Sequence, residues 1–450
     1  MSVRVTESTM VYPAEATPKQ SLWLSKLDMM IRQPYSHTNL LYIYRPNNNT
    51  NSSTLFFDVE NLKGALRKAL VLYYPVAGRL KMNDNDNRFE IDCNEKGVLF
   101  IEAETNSTLS DNVSDEFRKE LIAKSDYSKG LSSFPLFIAQ ITRFSCGGVT
   151  LCMATHHHVA DGVSHMQFIN CWANLARGVK PEVIPCHDRF GFLGAQVPPQ
   201  VNFKHLEYEP PLPPLPPKSL SGETLAVATT EYLRLSEEQI KTLKCASIST
   251  ISNKISTFKV IAAHVWRSTC KARGLADDQD VKLYLHTDGR SRLKDPSLPQ
   301  GYFGNVLYFA CCVAKAGELI HNPLFYTISK IDEAIKKMGN SEYLRSAVDY
   351  LELQSDLTAL IRGAHYVTCP NLQINNWGRL NFFGADFGWG KPDSIGHGEI
   401  KCEGQSKIIS NLSKDNSTYV GIRLFAPHME LFRKCFYDFP KMIKTNSCKL

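Results

Sequence analysis

The sequence contains no run of about 18 consecutive apolar residues, and its start, MSVRVTESTM, has no uninterrupted apolar segment. Neither a membrane-spanning helix nor a secretory signal peptide is therefore indicated. The charge is nearly balanced, since 51 Lys and Arg against 45 Asp and Glu give a formal net charge of +6 without a long basic run. We therefore expect a cytoplasmic protein with no nucleic-acid partner and no membrane span.

The cysteines are odd in number, 13, and include no CxxC pair, so neither a disulfide framework nor a cysteine zinc site is indicated. The final residues, Cys448-Lys449-Leu450, differ by one residue from the peroxisomal Ser-Lys-Leu address, and this short match leaves peroxisomal targeting open. Hydrophobic residues make up 43% and charged residues 21% of the 450 residues, a profile typical of a globular protein with a sizeable core.

Prolines mark the clearest domain boundary. Residues 186–221 include PPLPPLPP at 210–217, a run that removes backbone donors and favours extended chain. We interpret this segment as a crossover between an N-terminal domain, 1–185, and a C-terminal domain, 222–450. A surface loop within one domain is the alternative.

Both halves of the chain mix helix and strand signals, which predicts an α/β fold with mixed sheets. Apolar residues recur at helical spacing over residues 62–73 and 258–269. Runs rich in β-branched and aromatic residues predict strands at 283–286, 306–313 and 419–425.

The most informative segment is GVTLCMATHHHVADG, residues 148–162. Its first half alternates like a strand, and helical spacing follows from Gly162, so the histidines are predicted to lie on a strand-to-helix turn. An imidazole there is suited to act as a base near neutral pH. Three adjacent histidines also invite a zinc hypothesis, but neighbours on extended chain point to opposite faces and cannot all reach one ion. An exposed polar turn is the other alternative.

A second cluster, Asp386-Phe387-Gly388-Trp389-Gly390, follows Trp377 in the sequence. Read alone, it is a glycine-rich turn stabilised by an aromatic side chain. Its first three residues match the kinase DFG triplet, but no phosphate loop or catalytic-loop motif accompanies them. Kinase chemistry is therefore not indicated.

Together, His157-x-x-x-Asp161-Gly162 and the DFGWG cluster resemble the plant BAHD acyltransferase family. The resemblance covers effectively the whole chain and extends to YPVAGRL at 74–80, DGRSR at 288–292, YFGN at 302–305 and FYDF at 436–439. Some segments resemble the hydroxycinnamoyl-CoA shikimate or quinate transferases: STMV at 8–11, LRSA at 344–347 and RGAH at 362–365. Others resemble the anthranilate N-acylating branch: SLWLS at 21–25 and PYSHT at 34–38.

The resemblance implies two similar domains of the chloramphenicol acetyltransferase type, each a mixed sheet with helices, joined by a long crossover loop and enclosing an active-site channel. Acyl-CoA would be a co-substrate, with no cofactor and no metal, and the protein would be a monomer. The family's motif histidine maps to His157 rather than to His156 or His158. This base would take the acceptor's proton as the acceptor attacks the thioester.

The resemblance also assigns further roles. The indole N–H of Trp377 would stabilise the negative oxygen that develops on the carbonyl, and a core aromatic is the alternative. Asp161 would pair with Arg290 or Arg292 rather than orient His157. The remaining motif residues would be structural: Gly162, Asp386, Gly388, Trp389 and Gly390.

Substrate contacts are implied in the same way. Arg362 would hold a carboxylate of the acceptor with two hydrogen bonds, and a surface salt bridge is the alternative. Further acceptor contacts would be Thr38, Tyr42 and Asn375, although Asn375 stands where the relatives have threonine and Leu40 where they have serine. At the start of the second predicted helix, Ser256 and Lys259 would lie near the adenosine phosphate of CoA, with a solvated surface role as the alternative for the lysine.

These observations predict an acyltransferase that moves a hydroxycinnamoyl group, p-coumaroyl or caffeoyl, from CoA to a hydroxyl of a carboxylate-bearing acceptor such as shikimate or quinate. An N-acyltransferase that makes hydroxycinnamoyl or benzoyl amides of anthranilate or another amine is the alternative. A ligand-binding protein that kept the fold without activity is a third hypothesis.

Overall fold

The computed structural model describes residues 2–30, 37–46, 56–109, 119–215, 227–247, 255–361, 363–396, 400–410 and 416–439. The chain divides into two compact units. The first unit consists of Met1–Gln196, Asp295–Val306 and Leu380–Glu399. The second consists of Val197–Lys294, Leu307–Arg379 and Ile400–Leu450.

Strands and helices alternate in both units. The strands are β1 (Arg4–Val11), β2 (Ser21–Trp23), β3 (His37–Tyr44), β4 (Arg79–Asn83), β5 (Arg88–Asp92), β6 (Val98–Thr105), β7 (Phe137–Phe144), β8 (Val149–His156), β9 (Ala228–Leu235), β10 (Asp280–Asp288), β11 (Leu307–Lys315), β12 (Leu372–Asn376), β13 (Ser394–Gly396), β14 (Gln405–Ser410) and β15 (Thr418–Phe425). The helices are α1 (Lys26–Met29), α2 (Val59–Leu72), α3 (Gly162–Ala176), α4 (Phe190–Leu193), α5 (Glu237–Cys245), α6 (Thr257–Ala272), α7 (Ala316–His321), α8 (Leu324–Lys337), α9 (Ser341–Glu352), α10 (Ala364–Val367) and α11 (Ala426–Tyr437). Short 3₁₀ segments cover Tyr74–Ala77 and Phe382–Gly384.

The first unit is built on a mixed sheet in the order β1-β6-β7-β8-β3-β13. Strands β6 and β7 pair in parallel, and the other neighbours pair antiparallel. Every residue of β8 is buried, as expected for a strand with neighbours on both edges and covered faces. A smaller sheet in the order β2-β5-β4 belongs to the same unit.

Helices α2 and α3 pack against each other in this unit. Asp58 caps the N-terminus of α2, and one apolar face of the helix is buried: Leu62, Ala65, Leu66, Ala69 and Leu70. The indole of Trp172 on α3 donates to the Leu62 carbonyl at 2.9 Å, which ties the two helices together. The helix predicted over residues 62–73 is therefore confirmed.

The second unit contains a mixed sheet in the order β11-β10-β12-β14-β15-β9. Helix α6 lies in this unit with Ser256 at its N-cap, and Gly274 follows its end with φ +57°, a left-handed conformation that favours glycine. The predicted helix over 258–269 and the three predicted strands are confirmed by α6, β10, β11 and β15. The predicted α/β architecture of two units with mixed sheets is also confirmed.

The division of the chain differs from the two contiguous domains that the sequence predicts. The first unit ends at Gln196, inside the proline-rich segment, but it also includes Asp295–Val306 and Leu380–Glu399. The DFGWG cluster therefore belongs to the first unit rather than to a domain spanning 222–450. The physical reason is backbone pairing, because β13 extends the first sheet by pairing antiparallel with β3. In the described part of the chain, no helix is both long and apolar enough to cross a membrane.

Candidate active site

The predicted strand-to-helix turn is present and joins β8 to α3. His157, His158 and Val159 form the turn, and the Val159 amide donates to the His156 carbonyl at 2.9 Å. His156 and His158 are buried, whereas His157 is half-buried. Of the three histidines, His157 is therefore the most accessible to a substrate.

His157 is held by Asn305, which lies 148 positions further along the chain. The Nδ1 of His157 lies 3.2 Å from the Asn305 side-chain oxygen, and the Asn305 side-chain nitrogen donates to the His157 carbonyl at 2.9 Å. Since the amide oxygen can only accept, this contact places the imidazole proton on Nδ1. The neutral ring then carries its basic lone pair on Nε2.

A buried ion pair lies behind Asn305. The Oδ1 of Asp28 accepts hydrogen bonds from the backbone and side-chain nitrogens of Asn305, both at 2.9 Å. The same oxygen lies 3.0 Å from Nη1 of Arg189, and both charged side chains have no exposed surface. Asp28 follows Ser25 in a capping box at the start of α1.

The neighbouring histidines are held neutral by burial. Burial lowers the pKa of His158 to about 3, and the pKa of His165 on α3 is also lowered to about 3. In both cases the charge on His157 is a further cause of the lower pKa. His157 therefore has two uncharged imidazoles beside it at neutral pH.

Asp161 caps α3 and joins it to a distant loop. Its Oδ1 accepts from the amides of Val163 and Ser164 at 3.1 and 3.0 Å, and its Oδ2 accepts from the Val306 amide at 3.0 Å. The Ser164 hydroxyl donates to the Gly304 carbonyl at 2.9 Å. These hydrogen bonds fix the loop that carries Asn305 against the turn that carries His157.

Gly162 is the first residue of α3, and its small size has a local reason. A Cβ at this position would lie 3.1 Å from the side chain of Leu380, closer than ordinary van der Waals contact. Glycine therefore allows the start of α3 to pack closely against the side chain of Leu380.

The DFGWG cluster forms a structured loop in the same unit. The Oδ1 of Asp386 accepts from the amides of Gly388 and Gly390 at 2.9 and 3.1 Å, and both glycines have φ above +100°. Trp389 stacks on Phe57 with ring centroids 4.9 Å apart. These contacts stabilise the loop, and the structural role predicted for its residues stays a prediction.

Comparison with known proteins identifies the family. The model of the Transferase family matches residues 1–439. The chain belongs to the BAHD acyltransferases.

Relatives in this family include a shikimate O-hydroxycinnamoyltransferase of Nicotiana tabacum, 48% identical over 98% of this chain and 100% of the relative. An anthranilate N-benzoyltransferase of Dianthus caryophyllus is 47% identical with the same coverage. The fold is similar to that of vinorine synthase, with a TM-score of 0.71, 20% identity, and coverage of 95% of this chain and 96% of that structure. This protein is therefore an acyltransferase that uses acyl-CoA.

The second unit of this BAHD acyltransferase carries Trp377 and Asn375 at the end of β12. Trp377 is 9% exposed, and the ammonium of Lys407 lies 4.3 Å from the centre of its ring, a cation–π contact. Asn375 is half-buried and stands opposite Lys407 in the pairing of β12 with β14. The roles predicted for both residues stay predictions.

Arg290 and Arg292 lie in the turn after β10, in the second unit. Nη1 of Arg290 pairs with Oδ1 of Asp288 at 2.9 Å. Burial lowers the pKa of Arg292 from its ordinary value. The predicted pairing of either arginine with Asp161 stays a prediction.

The residues predicted to contact CoA lie at the start of α6. Ser256 is the N-cap residue, but its side chain makes no capping hydrogen bond. The Lys259 ammonium is ion-paired with Asp332, which also pairs with Lys336 at 2.8 Å. A phosphate at Lys259 would compete with Asp332, so the predicted contact with CoA requires exchange of this ion pair.

The residues predicted to contact the acceptor differ in their surroundings. Thr38 stands opposite Thr155 in the pairing of β3 with β8, and its buried hydroxyl has no hydrogen-bond partner among the described residues. Tyr42 is completely buried, and its hydroxyl donates to the sulfur of Met166 at 3.5 Å. Thr38 can therefore take a partner without losing one, whereas Tyr42 packs in the interior. Arg362 lies outside the described residues.

The sequence did not predict roles for Asp28, Arg189 or Asn305. Asn305 belongs to the YFGN segment, to which the sequence assigns no individual role. Ser25-x-x-Asp28 matches the capping-box pattern and could have located Asp28, but nothing local indicates its contact with Asn305. Among the described residues, no three His, Cys, Asp or Glu side chains converge to hold a metal ion. The absence of a metal and of a cofactor stays a prediction.

Proposed function

We propose that this BAHD acyltransferase moves a hydroxycinnamoyl group from CoA to a hydroxyl of a carboxylate-bearing acceptor, with His157 as the general base. The observation that carries the proposal is the hydrogen bond of 3.2 Å between His157 Nδ1 and Asn305 Oδ1. It leaves Nε2 as the basic nitrogen of a half-buried ring that directly follows a fully buried strand. A base so placed supports direct transfer in a complex that holds both substrates.

The reaction follows from this arrangement. Nε2 of His157 removes the proton of the acceptor hydroxyl as the oxygen attacks the thioester carbonyl carbon. The tetrahedral intermediate then collapses, the bond between carbon and sulfur breaks, and the CoA thiolate takes the proton back from the imidazolium. General-base catalysis of this kind contributes about 10²- to 10⁴-fold to the rate. The thioester is already activated, so the reaction needs no covalent enzyme intermediate.

Trp377 is proposed to stabilise the oxyanion of this intermediate through its indole N–H. A fixed donor at a developing oxyanion typically contributes about 3 kcal/mol. The nearby ammonium of Lys407, 4.3 Å from the ring centre, supports the proposal because a cation on the face of the indole makes the N–H a better donor.

The acceptor is proposed to be an acidic alcohol such as shikimate or quinate. Support comes from the tobacco relative at 48% identity, which is named for O-acylation of shikimate. Arg362 would pair with the acceptor's carboxylate. In the same proposal, Thr38 and Asn375 contact the acceptor. Ser256 and Lys259 contact CoA.

N-Acylation of anthranilate or another amine is the second candidate. Specific support comes from the carnation relative, an anthranilate N-benzoyltransferase 47% identical to this chain. An anthranilate acceptor also carries a carboxylate, so the role proposed for Arg362 is common to both candidates. The two candidates differ in the nucleophilic atom.

The test is release of CoA thiol from p-coumaroyl-CoA by the purified full chain, with products identified by mass. Parallel reactions contain shikimate, quinate, anthranilate, an aromatic amine without a carboxylate, or no acceptor. An ester product with an acidic alcohol supports the main proposal, and products with amines alone support the second candidate. Folded protein that releases no thiol with any acceptor, although it binds acyl-CoA in calorimetry, contradicts both for this panel and indicates a binding protein or another acceptor.

Three variants sharpen this test. His157→Gln should lower kcat by about 10²- to 10⁴-fold, the usual contribution of a general base. His321→Gln is the matched control, because His321 is an exposed histidine paired with Asp277, and it should retain activity. Arg362→Ala should raise KM for acidic acceptors while KM for p-coumaroyl-CoA stays unchanged. An equal loss with the amine that lacks a carboxylate would contradict the role of Arg362.

A further inference from the structure

We infer that Asp28 and Arg189 are positioning residues for His157. The buried pair fixes the amide of Asn305 and the turn after His157, so that the imidazole carries its proton on Nδ1 and presents Nε2 as the base. The inference rests on the proposed role of His157 as the general base. It extends that role to two charged residues that do not touch the reacting atoms.

The first step of the argument is the hydrogen bonding of Asp28. Its Oδ2 accepts from the backbone and hydroxyl of Ser25 at 2.9 and 2.7 Å. Its Oδ1 accepts from the two nitrogens of Asn305 and lies 3.0 Å from Nη1 of Arg189. A carboxylate with these donors and no exposed surface has one defined orientation.

The second step is the orientation of the Asn305 amide. An ionised carboxylate only accepts, so the atom of Asn305 that faces Asp28 must be the NH₂ group. Its two hydrogens go to Asp28 Oδ1 and to the His157 carbonyl, and the amide oxygen is left facing His157 Nδ1. With the amide reversed, an NH₂ group would face Nδ1, which would then have to accept. The proton would then lie on Nε2, and this nitrogen could no longer act as the base.

The third step is the position of Arg189. Its Nη1 donates to the His158 carbonyl at 3.1 Å, and its Nη2 donates to the Val159 carbonyl at 2.7 Å. The arginine that balances the charge of Asp28 thus also holds the carbonyls of the two residues that follow His157. The pair therefore controls the base from two sides, through Asn305 and through the turn.

The experiment measures both catalysis and the tautomer of His157 in the full chain. Asp28→Asn removes the charge while keeping the shape, and its kcat, KM and pH profile are compared with those of the wild type. Two-dimensional ¹⁵N NMR of histidine-labelled protein reports whether Nδ1 or Nε2 carries the proton, and His157→Gln identifies the signal. Among the described residues, the titratable and charged groups around this turn include Asp28, Arg189, Asp161, His156, His158 and His165.

Asp28→Asn should lower kcat by about tenfold or more, which is part of the roughly 10²- to 10⁴-fold that a general base contributes. The KM for acyl-CoA should change less than about threefold. The charge of Arg189 then lacks its counter-charge, which favours neutral imidazole. The acid limb of the pH profile should therefore move to lower pH. Because an amide at position 28 can donate as well as accept, it no longer fixes the direction of the Asn305 amide, and the NMR signal should show Nε2–H. In the double variant Asp28→Asn with Asn305→Asp, the carboxylate faces Nδ1 instead. The Nδ1–H form should return, and the acid limb should move to higher pH.

Glu403→Gln is the matched control, because Glu403 forms a buried pair with Arg273 in the other unit at 2.7 Å. It should lower thermal stability but leave the pH profile and the His157 signal unchanged. If Asp28→Asn does not fold, Arg189→Lys replaces it. This variant keeps the charge but lacks the two guanidinium nitrogens that together reach both carbonyls and Asp28, so kcat should fall while the acid limb stays in place.

The inference is overturned if the folded variant loses stability but keeps the wild-type kcat, acid limb and Nδ1–H signal, because the pair is then purely structural. Failure of the proposed function is distinguishable from this result. In that case the wild type releases no thiol, or His157→Gln retains activity. The NMR signal still reports whether the pair sets the tautomer.

Discussion

Asp161 provides the sharpest test of what the second residue of the HxxxD motif does. Its oxygens accept hydrogen bonds from the amides of Val163, Ser164 and Val306, so it links the start of α3 to the loop that carries Asn305. We therefore expect Asp161→Ala mainly to destabilise the first unit. A role like that of the aspartate in a Ser-His-Asp triad would instead make the variant stable and inactive.

The size of the effect follows from these contacts. Loss of an N-cap aspartate costs about 1 to 2 kcal/mol. A buried backbone N–H left without its acceptor, as at Val306, adds about 1 to 3 kcal/mol. Asp161→Ala should therefore lower the free energy of unfolding by about 2 to 5 kcal/mol. Asp161→Asn keeps one acceptor oxygen for the cap, so its loss should be smaller.

The assay is urea unfolding of the full chain, followed by circular dichroism and tryptophan fluorescence. The control variant is Asp58→Ala, which removes an N-cap aspartate from α2 in the same unit. Among the described residues, the Asp58 side chain accepts only from the Glu60 amide of its own helix, at 3.1 Å, so a loss of about 1 kcal/mol is expected. The difference in the free energy of unfolding between the two variants measures the contribution of the hydrogen bond to Val306 together with the effect of burial.

One result would refute this reasoning. If Asp161→Ala unfolds within about 1 kcal/mol of the wild type and kcat falls by about 10⁴-fold, Asp161 acts on the base rather than on the fold. A stability loss no larger than that of Asp58→Ala would show that the link to Val306 contributes nothing.

Three further predictions concern pH, backbone conformation and thiol reactivity. The pKa of His165 is about 3 in the folded state, below the ordinary value near 6.5, so below about pH 6.5 the unfolded chain binds a proton that the native state does not. The free energy of unfolding therefore decreases as pH falls. His165→Gln should reduce the slope of this free energy against pH by about 1.4 kcal/mol per pH unit between about pH 4 and 6.5, measured by urea titrations at several pH values. An unchanged slope would contradict the burial argument. Gly404 has φ +80°, and a Cβ there would lie 1.8 Å from the Val367 carbonyl oxygen. Gly404→Ala should therefore lower the free energy of unfolding by more than the about 1 kcal/mol expected for Gly274→Ala, where the space around the Cβ is open. Equal melting temperatures of the two variants would refute this. Cys146 is exposed, and hydrogen bonds from backbone amides lower its pKa, so it should be the first of the described cysteines to react with iodoacetamide in peptide mass spectra; faster labelling of a buried one would contradict this.

Prediction from the sequence works where the signal is local. The periodicity of α2 and α6 and the turn between β8 and α3 follow from neighbouring residues, because one buried face requires apolar side chains at fixed spacing. The HxxxD and DFGWG motifs sufficed for the family, and the family implied the fold. Within the motif, His157 is half-buried and the other two histidines are buried, a difference that the sequence does not record.

What the sequence could not predict depends on contacts between distant positions. Asp28 and Asn305 are 277 positions apart, and Asn305 and His157 are 148 apart. Likewise, the placement of the DFGWG loop in the first unit depends on the pairing of β13 with β3. Such contacts leave no periodicity in the chain, because each partner is locally an ordinary turn or cap residue.

By itself, the sequence determined the elements, the family and the identity of the candidate base, since each is encoded in short-range spacing or in a motif. Only the tertiary structure decided how that base is oriented. The proton on His157 is placed by an amide whose direction is set by a buried ion pair, and those charges meet only after the chain has folded. The physical reason is that hydrogen-bond direction depends on distance and angle in three dimensions, which linear spacing does not record.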